Sequence, residues 1–182
     1  MRLPVIKGKL VNLRGLKRSD ADSILKYADD HLVAKFLPLM PNPYSIKDAN
    51  YWINLTQRQA RLDKSYQFGI EYPETGEIIG GIGLKNINKI DLNAEVGYCL
   101  GRRYWKRGYS TEALSLILKF AFKELRLIRV YAIVHEKNTG SVKLLAKTGF
   151  THEGTWRKAS RMSKRWHDVY AYGILKDEFK PV

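Results

Sequence analysis

Between Gly101 and Ala113 the chain reads Gly-Arg-Arg-Tyr-Trp-Lys-Arg-Gly-Tyr-Ser-Thr-Glu-Ala, a basic, glycine-punctuated loop that runs into an amphipathic stretch over residues 114–125. A strand pattern precedes it and a helix pattern follows. The first N–H groups of a helix lack partners within it and sit at the positive end of its dipole, so a strand–loop–helix of this composition suits an anion. The chemistry it suggests is a grip on a phosphate-bearing cofactor. The spacing is not that of a nucleotide P-loop, nor that of a G-x-G-x-x-G dinucleotide turn. Just upstream, Glu95, Gly97 and Cys99 share one face of an alternating strand, and Ala94, Val96, Tyr98 and Leu100 share the other. Cys99 is the only cysteine, which excludes an intrachain disulfide framework and a cysteine-rich zinc site. It has no histidine at a diagnostic spacing, so a core thiol is the expectation rather than a nucleophile. The four histidines show no H-E-x-x-H or similar ligand spacing, so no metal is expected.

These residues must be positioned by a scaffold, and 182 residues with 45% hydrophobic content suffice for one ordinary domain, expected over 1–182. The apolar runs are too short for a membrane span and the opening residues carry no signal-peptide core, so a cytoplasmic protein is expected. The formal charge of +14, from 32 Lys+Arg against 18 Asp+Glu, gives a positive field that favours anionic partners: a phosphorylated cofactor, RNA or an RNA-rich particle.

Taken in order, residues 9–14 alternate as a strand, and Ser19 with Asp20 and Asp22 supplies a cap and early acids for a helix through Leu25 and Ala28. The proline-rich patch 37–43 reads as a loop crossing an edge of the domain, and Ser45 caps a second helix. Residues 66–72 and 77–84 form a hairpin around the turn 73–76, and 92–100 completes an antiparallel meander. After the central helix, 128–134 is a β-branched strand, Asn138 opens a short helix, and Gly149 follows it at the C-cap. Residues 150–156 and 166–175 are the last strands, joined by a connection over 157–165 with five basic residues in nine and Trp156 and Trp166 at its borders. The order implies a mixed sheet, antiparallel in its first half and βαβ in its second.

That order carries a resemblance. Leu13-Arg14, Ile79-Gly80, Gly83, Glu95-Val-Gly-Tyr98, Tyr104-Trp105, Gly108-Tyr-Ser-Thr-Glu-Ala-Leu114, His135, Asn138, Ser141, Gly149-Phe150, Glu153-Gly154, Arg157 and Trp166-His-Asp168 follow one another as in GNAT-superfamily acetyltransferases. The chain most resembles their ribosomal-protein N-terminal acetyltransferase (RimJ/RimL-like) branch. The resemblance implies an α/β (α+β) GNAT fold, with a mostly antiparallel sheet of about seven strands flanked by about four helices and splayed between the fourth and fifth strands. It implies acetyl-CoA as donor, cradled by the backbone of Lys106, Arg107, Gly108, Tyr109, Ser110 and Thr111 and lined by Tyr98, Cys99, Leu100, Trp105 and Asn138. Glu95 would take the amine's proton and Ser141 would face the departing thiolate.

Four positions depart from the family pattern: Trp105 and Ser110 at the ends of the loop motif, Lys106 where relatives of this branch have a glycine, and Gly140 before Ser141. A loop that differs from its relatives at Lys106 is therefore expected. The acceptor would be a protein N-terminal α-amine or a small amine, and a homodimer is a family expectation. The segment from Arg157 to Arg165 could contact the ribosome or RNA, and a non-catalytic basic RNA- or ribosome-binding module of the same fold is a further reading. Tyr170 and Tyr172 could face the acceptor or pack, and His135 reads as a polar strand-end residue.

Overall fold

The computed structural model describes residues 3–37, 40–162 and 164–181. The chain's opening pair, Pro38 and Leu39 of the proline-rich patch, and Ser163 of the basic segment lie outside the described residues. Among the described residues eight strands form one sheet. They are β1 (Ile6–Lys7), β2 (Asn12–Arg14), β3 (Tyr66–Glu71), β4 (Ile78–Asn88), β5 (Asn93–Leu100), β6 (Arg129–His135), β7 (Thr151–Met162) and β8 (Arg165–Leu175). Their order across the sheet is β1-β2-β3-β4-β5-β6-β8-β7. Every pair is antiparallel except β5 with β6, which is parallel. The α-helices among the described residues are α1 (Ala21–Ala28), α2 (His31–Ala34), α3 (Ile46–Arg61), α4 (Tyr109–Lys119) and α5 (Thr139–Lys147), with α4 running on through a π turn over Phe120–Glu124. This is the GNAT architecture expected, with one strand and one helix more.

The extra strand comes from the N-terminal segment. A strand over residues 9–14 is corrected to two short strands around a turn, because Gly8 N–H closes on the Val11 carbonyl at 3.0 Å and folds residues 8–11 back on themselves. The acidic cap also differs: Asp20, not Ser19, organises the start of α1. Its carboxylate accepts from Lys17 N at 2.8 Å and from both Arg14 Nη atoms at 2.7 and 3.0 Å, while Arg14 Nε meets Glu71 on β3. One guanidinium thus ties β2, α1 and β3 together at a buried carboxylate. Ser45 does cap α3, whose buried Ala49, Ile53, Thr56 and Ala60 recur at helical spacing.

The segment over 157–165 is corrected from a connection to paired strand. β7 continues to Met162 and β8 resumes at Arg165, with register shifts between Trp156 and Ser160. The ribbon extends beyond the core with both faces largely exposed, so it has no apolar alternation to announce it.

The two sheet faces bury different helices. Ala94, Val96 and Leu100 of β5, with Val130, Ala132 and Val134 of β6, pack with α4 and with Leu145 of α5. Ile78 and Cys99 face the other way, against Ala21, Ile24 and Tyr27 of α1 and Ala49 and Ile53 of α3. Tyr172 belongs to the α4 face and Tyr170 packs against it, so both serve packing.

One long-range contact fixes α4. The carboxylate of Glu112, in its first turn, accepts from the backbone N–H groups of Lys9, Leu10 and Val11 at 2.8, 2.7 and 2.8 Å. The β1–β2 turn is thereby held by a side chain about a hundred residues away. A Cβ on Gly8 would stand 2.8 Å from a Glu112 oxygen, so glycine is required for the close approach. Replacing Glu112 by alanine leaves three amides to be satisfied elsewhere and is expected to cost about 2 kcal/mol of stability. A urea midpoint that falls while the slope stays constant checks it.

Candidate active site

The loop before α4 is built on its backbone. Gly101 N–H reaches the Ile79 carbonyl at 2.8 Å, Arg102–Tyr104 form a 3-10 turn, and the Trp105 indole N–H donates to the Leu100 carbonyl at 2.7 Å. Trp105 thus closes the loop onto the end of β5. Lys106 lies at φ 61° and Gly108 at φ 88°, so two left-handed residues flank Arg107. Lys106 thus holds a left-handed conformation that glycine adopts more readily. Gly108 caps α4 without a side chain, and no side-chain cap bond forms there. The N–H groups of Tyr109, Ser110 and Thr111 open the helix in this uncapped turn. Lys106 and Arg107 are exposed beside it, while the Glu112 charge is turned away to residues 9–11. The acid in this first turn therefore leaves the anion site free.

Upstream, β5 and β6 pair only at Asn93↔Arg129, Ala94↔Val130 and Glu95↔Tyr131. Beyond Glu95 the strands part, while β4 follows β5 on its other edge as far as Leu100. The backbone groups of β5 that point away from β4 past this rung have no strand to pair with, and a ligand threaded between the strands could satisfy them.

Past the last paired rung, Tyr98 lies on the α4 and α5 face of β5. Its hydroxyl is buried and, among the described residues, lacks a hydrogen-bond partner of ordinary geometry. Burial pushes its pKa up to about 12, against the opposing effect of Ser141, the one side chain that acts on it. A sealed, unsatisfied hydroxyl costs about 1–3 kcal/mol. Ser141 stands in the first turn of α5, where its N–H donates to the Asn138 side-chain oxygen at 3.2 Å. Asn138 therefore caps the helix, leaving its NH2 for a ligand, and the Ser141 hydroxyl takes no part in the cap.

Cys99 is directed to the opposite face, packed against the α1 cluster, with its thiol pushed up to about 11 by burial. Only its backbone, not its sulfur, belongs to the gap. The Leu100 side chain is buried in the core and its carbonyl is taken by Trp105.

Glu95 sits at the last rung before the strands part, on the face opposite Tyr98. Its two oxygens are engaged, one by Lys85 Nζ at 3.0 Å and one by Asn86 Nδ2 at 2.9 Å. Lys85 stands directly across from it on β4.

On the same face, His135 ends β6. Its ring lies 5.4 Å from Phe36 and 4.7 Å from His167, whose Nδ1 is 3.0 Å from Glu136. His135 Nδ1 accepts from Lys137 N–H at 3.2 Å, which assigns the proton to Nε2. That nitrogen is buried without a partner among the described residues. The Phe36–His135–His167 layer was not legible in the sequence, because three residues on separate elements carry no common spacing. No group of three or more potential metal ligands occurs among the described residues.

A family model described as an acetyltransferase (GNAT) domain matches residues 11–151, spanning the whole of the loop, gap and α5. The chain belongs to the GNAT acetyltransferase family. It is 32% identical over 169 residues to uncharacterized N-acetyltransferase p20 of Bacillus licheniformis, covering 93% of this chain and 94% of that one. It is 27% identical over 173 residues to putative ribosomal N-acetyltransferase YdaF of Bacillus subtilis, covering 93% of each. In fold it is similar to a spermidine N-acetyltransferase from Vibrio cholerae solved with CoA and spermine, with a TM-score of 0.81, 23% identity and coverage of 94% of this chain and 98% of that one. This GNAT protein is accordingly an acetyl-transferring enzyme acting on nitrogen. No helix among its described residues is long and apolar enough to cross a membrane.

Burial, and next the charge of His167, hold the His135 pKa below its ordinary 6.5; Lys137 and Lys35 act in the same sense and Glu136 against it. The folded form therefore favours neutral imidazole. Stability is complete above pH 6.5 and is lost as the pH falls through the folded-state value, because the unfolded chain takes up the proton first. His135→Gln should flatten the fall in Tm between pH 7 and 5 relative to wild type, measured by thermal unfolding at fixed ionic strength.

Proposed function

We propose that this GNAT enzyme transfers the acetyl group of acetyl-CoA by direct attack to a protein N-terminal α-amine. The observation that carries this reading is the parting of β5 from β6 beyond Glu95, followed in the chain by an uncapped α4 N-terminus. Residues 106–111 would hold the pyrophosphate through backbone N–H groups, with Lys106 and Arg107 adding charge. Asn138 would reach the pantetheine arm, and a β5 amide between Tyr98 and Leu100 would meet the tetrahedral oxyanion. Bound acetyl-CoA supplies the thioester. The orphaned Tyr98 hydroxyl and the open edge of β5 are groups that such a ligand would satisfy.

The two faces divide the work. Tyr98 and Ser141 stand on the α5 side of the gap, Glu95 on the α1 side, so a donor and an amine entering from opposite faces would meet only where the strands part. Glu95 would take the proton of the attacking amine, directly or through water, and Lys85 and Asn86 would hold its carboxylate in place.

A peptide acceptor is favoured by three features. The net charge of +14 opposes polycations. The buried Nε2–H of His135, on the Glu95 face, needs an acceptor atom; a peptide carbonyl offers one, and a protonated polyamine has only donors. YdaF, putatively a ribosomal N-acetyltransferase, covers nearly the whole chain.

Incubation of a peptide library and spermidine with labelled acetyl-CoA, read by mass spectrometry, should place label on peptide α-amines. Label confined to spermidine or to lysine side chains would overturn the acceptor assignment. With the best peptide, Glu95→Gln should lower kcat about 100-fold and remove the acidic limb of its pH profile; an unchanged profile would remove Glu95 from this role. Gly108→Ala forces an alanine into φ 88° and should weaken acetyl-CoA binding about tenfold in calorimetric titration.

A further inference from the structure

The outer ends of β7 and β8 form a ribbon that the acetyl-transfer reading does not use. It carries Arg157, Lys158, Arg161, Lys164 and Arg165, all exposed, and no acid falls between Glu153 and Asp168. The acids flanking it are engaged: Glu153 by Arg129, Asp168 by the Lys158 N–H at 2.8 Å, and Glu136 by His167 at 3.0 Å. Among the described residues none of the five cations forms an ion pair, whereas Lys85, Arg102 and Arg129 each hold a carboxylate. Charge that the fold leaves unpaired is open to an anionic partner.

Two indoles stand in the same ribbon. Trp156 is 53% exposed and Trp166 61%, and both lie outside the two packed faces of the sheet. Trp166 is directly across from Arg161, whose guanidinium carbon is 5.8 Å from the ring centroid, so a planar cation and a planar ring share one side of the ribbon. Aromatic and arginine planes set among lysines suit a polyanion with free π faces, that is, unstacked bases on a phosphate chain. A carboxylate-rich peptide would answer the charges alone.

The register also separates a nucleic-acid strand from a membrane surface. Trp156 pairs with Val169 and shares its face, while Trp166, three residues from Val169 on β8, is on the other. Two indoles on opposite faces cannot both enter one planar surface. A flexible single strand can pass from one face to the other around β7, the outermost strand of the sheet.

From this we infer that the β7–β8 ribbon is a docking arm for single-stranded RNA, with phosphates against the five cations and bases stacked on Trp156 and Trp166. RNA is named rather than DNA because its loops and bulges hold bases unpaired as a stable state. The inference does not depend on the acceptor assignment.

Binding of a labelled dodecauridylate to the full chain is followed by fluorescence anisotropy from about 50 to about 300 mM KCl, with excess CoA present to compete at the α4 anion site. Each phosphate contact to a single strand contributes about 0.7 to the log–log salt slope, so five cations predict a slope of about −3.5. The triple variant Arg161→Gln/Lys164→Gln/Arg165→Gln should reduce the slope to about −1.4 and weaken binding at low salt about tenfold or more. Lys119→Gln/Lys123→Gln/Lys147→Gln removes the same charge from exposed positions near the ends of α4 and α5 and should leave both nearly unchanged. Trp166→Ala should weaken binding about tenfold at every salt concentration with the slope kept, as loss of a stacking surface requires. Far-UV dichroism establishes that each variant is folded.

Equal weakening by the two triple variants reduces the effect to net charge and overturns the site. A Trp166→Ala variant that binds like wild type, or polyglutamate that displaces the strand as well as unlabelled dodecauridylate does, overturns the base-stacking partner. Tighter binding to oligothymidylate or to phosphatidylglycerol vesicles assigns the arm to DNA or to a membrane and overturns the RNA reading. Absence of binding at the lowest salt overturns the inference outright.

Discussion

The parallel pairing of β5 with β6 lasts for three rungs and then fails, and the rest of the molecule is arranged to make that failure stable. A strand edge inside a sheet cannot remain unpaired without cost, since each backbone group away from water wants a partner. Here β4 holds β5 on one edge to Leu100, and β8 holds β6 on the other along its full length to His135. The two strands are therefore rigid where they part. Past the last rung, Tyr98 stands on the α4 and α5 side of β5 with its hydroxyl buried and unpartnered among the described residues.

Charge is distributed in keeping with this geometry. The one acid in the first turn of α4 is bound by three amides of the β1–β2 turn, so the helix start keeps its positive character despite carrying a glutamate. The same contact locks the N-terminal turn over the helix that would carry the pyrophosphate, coupling the anion site to the edge of the sheet. Arg14 plays the corresponding part at the start of α1, where its fork on Asp20 and its contact with Glu71 set the helix against the meander. Each of these contacts fixes the start of a helix that packs on one face of the sheet.

Much of the scaffold was legible. The meander, the parallel crossover and the capped starts of α3 and α5 follow from alternation, turn residues and Ser45 and Asn138. Where the reading failed, the competing physics is identifiable. Residues 9–14 alternate, but the bond from Gly8 to Val11 bends them into a turn. The basic ribbon beyond Trp156 lacks alternation because neither face is buried, although its backbone pairs again from Ser160 after a register shift. The left-handed backbone at Lys106 was not legible either, because it is held between Trp105 bonded to Leu100 and the start of α4 rather than by the residue's own preference.

The sequence by itself determined which residues share a face. Period two on β5 separates Glu95 from Tyr98, and the first-turn position of Ser141 puts it at the head of a helix, because such local geometry follows from backbone periodicity alone. What only the tertiary structure decided is where these faces find their neighbours: Tyr98 sealed on the α4 and α5 side, Glu95 engaged by Lys85 and Asn86, His135 layered between Phe36 and His167. Those neighbours come from strands and helices far apart in the chain, and their juxtaposition depends on register, crossover and the point where pairing stops. None of these is written in any local spacing.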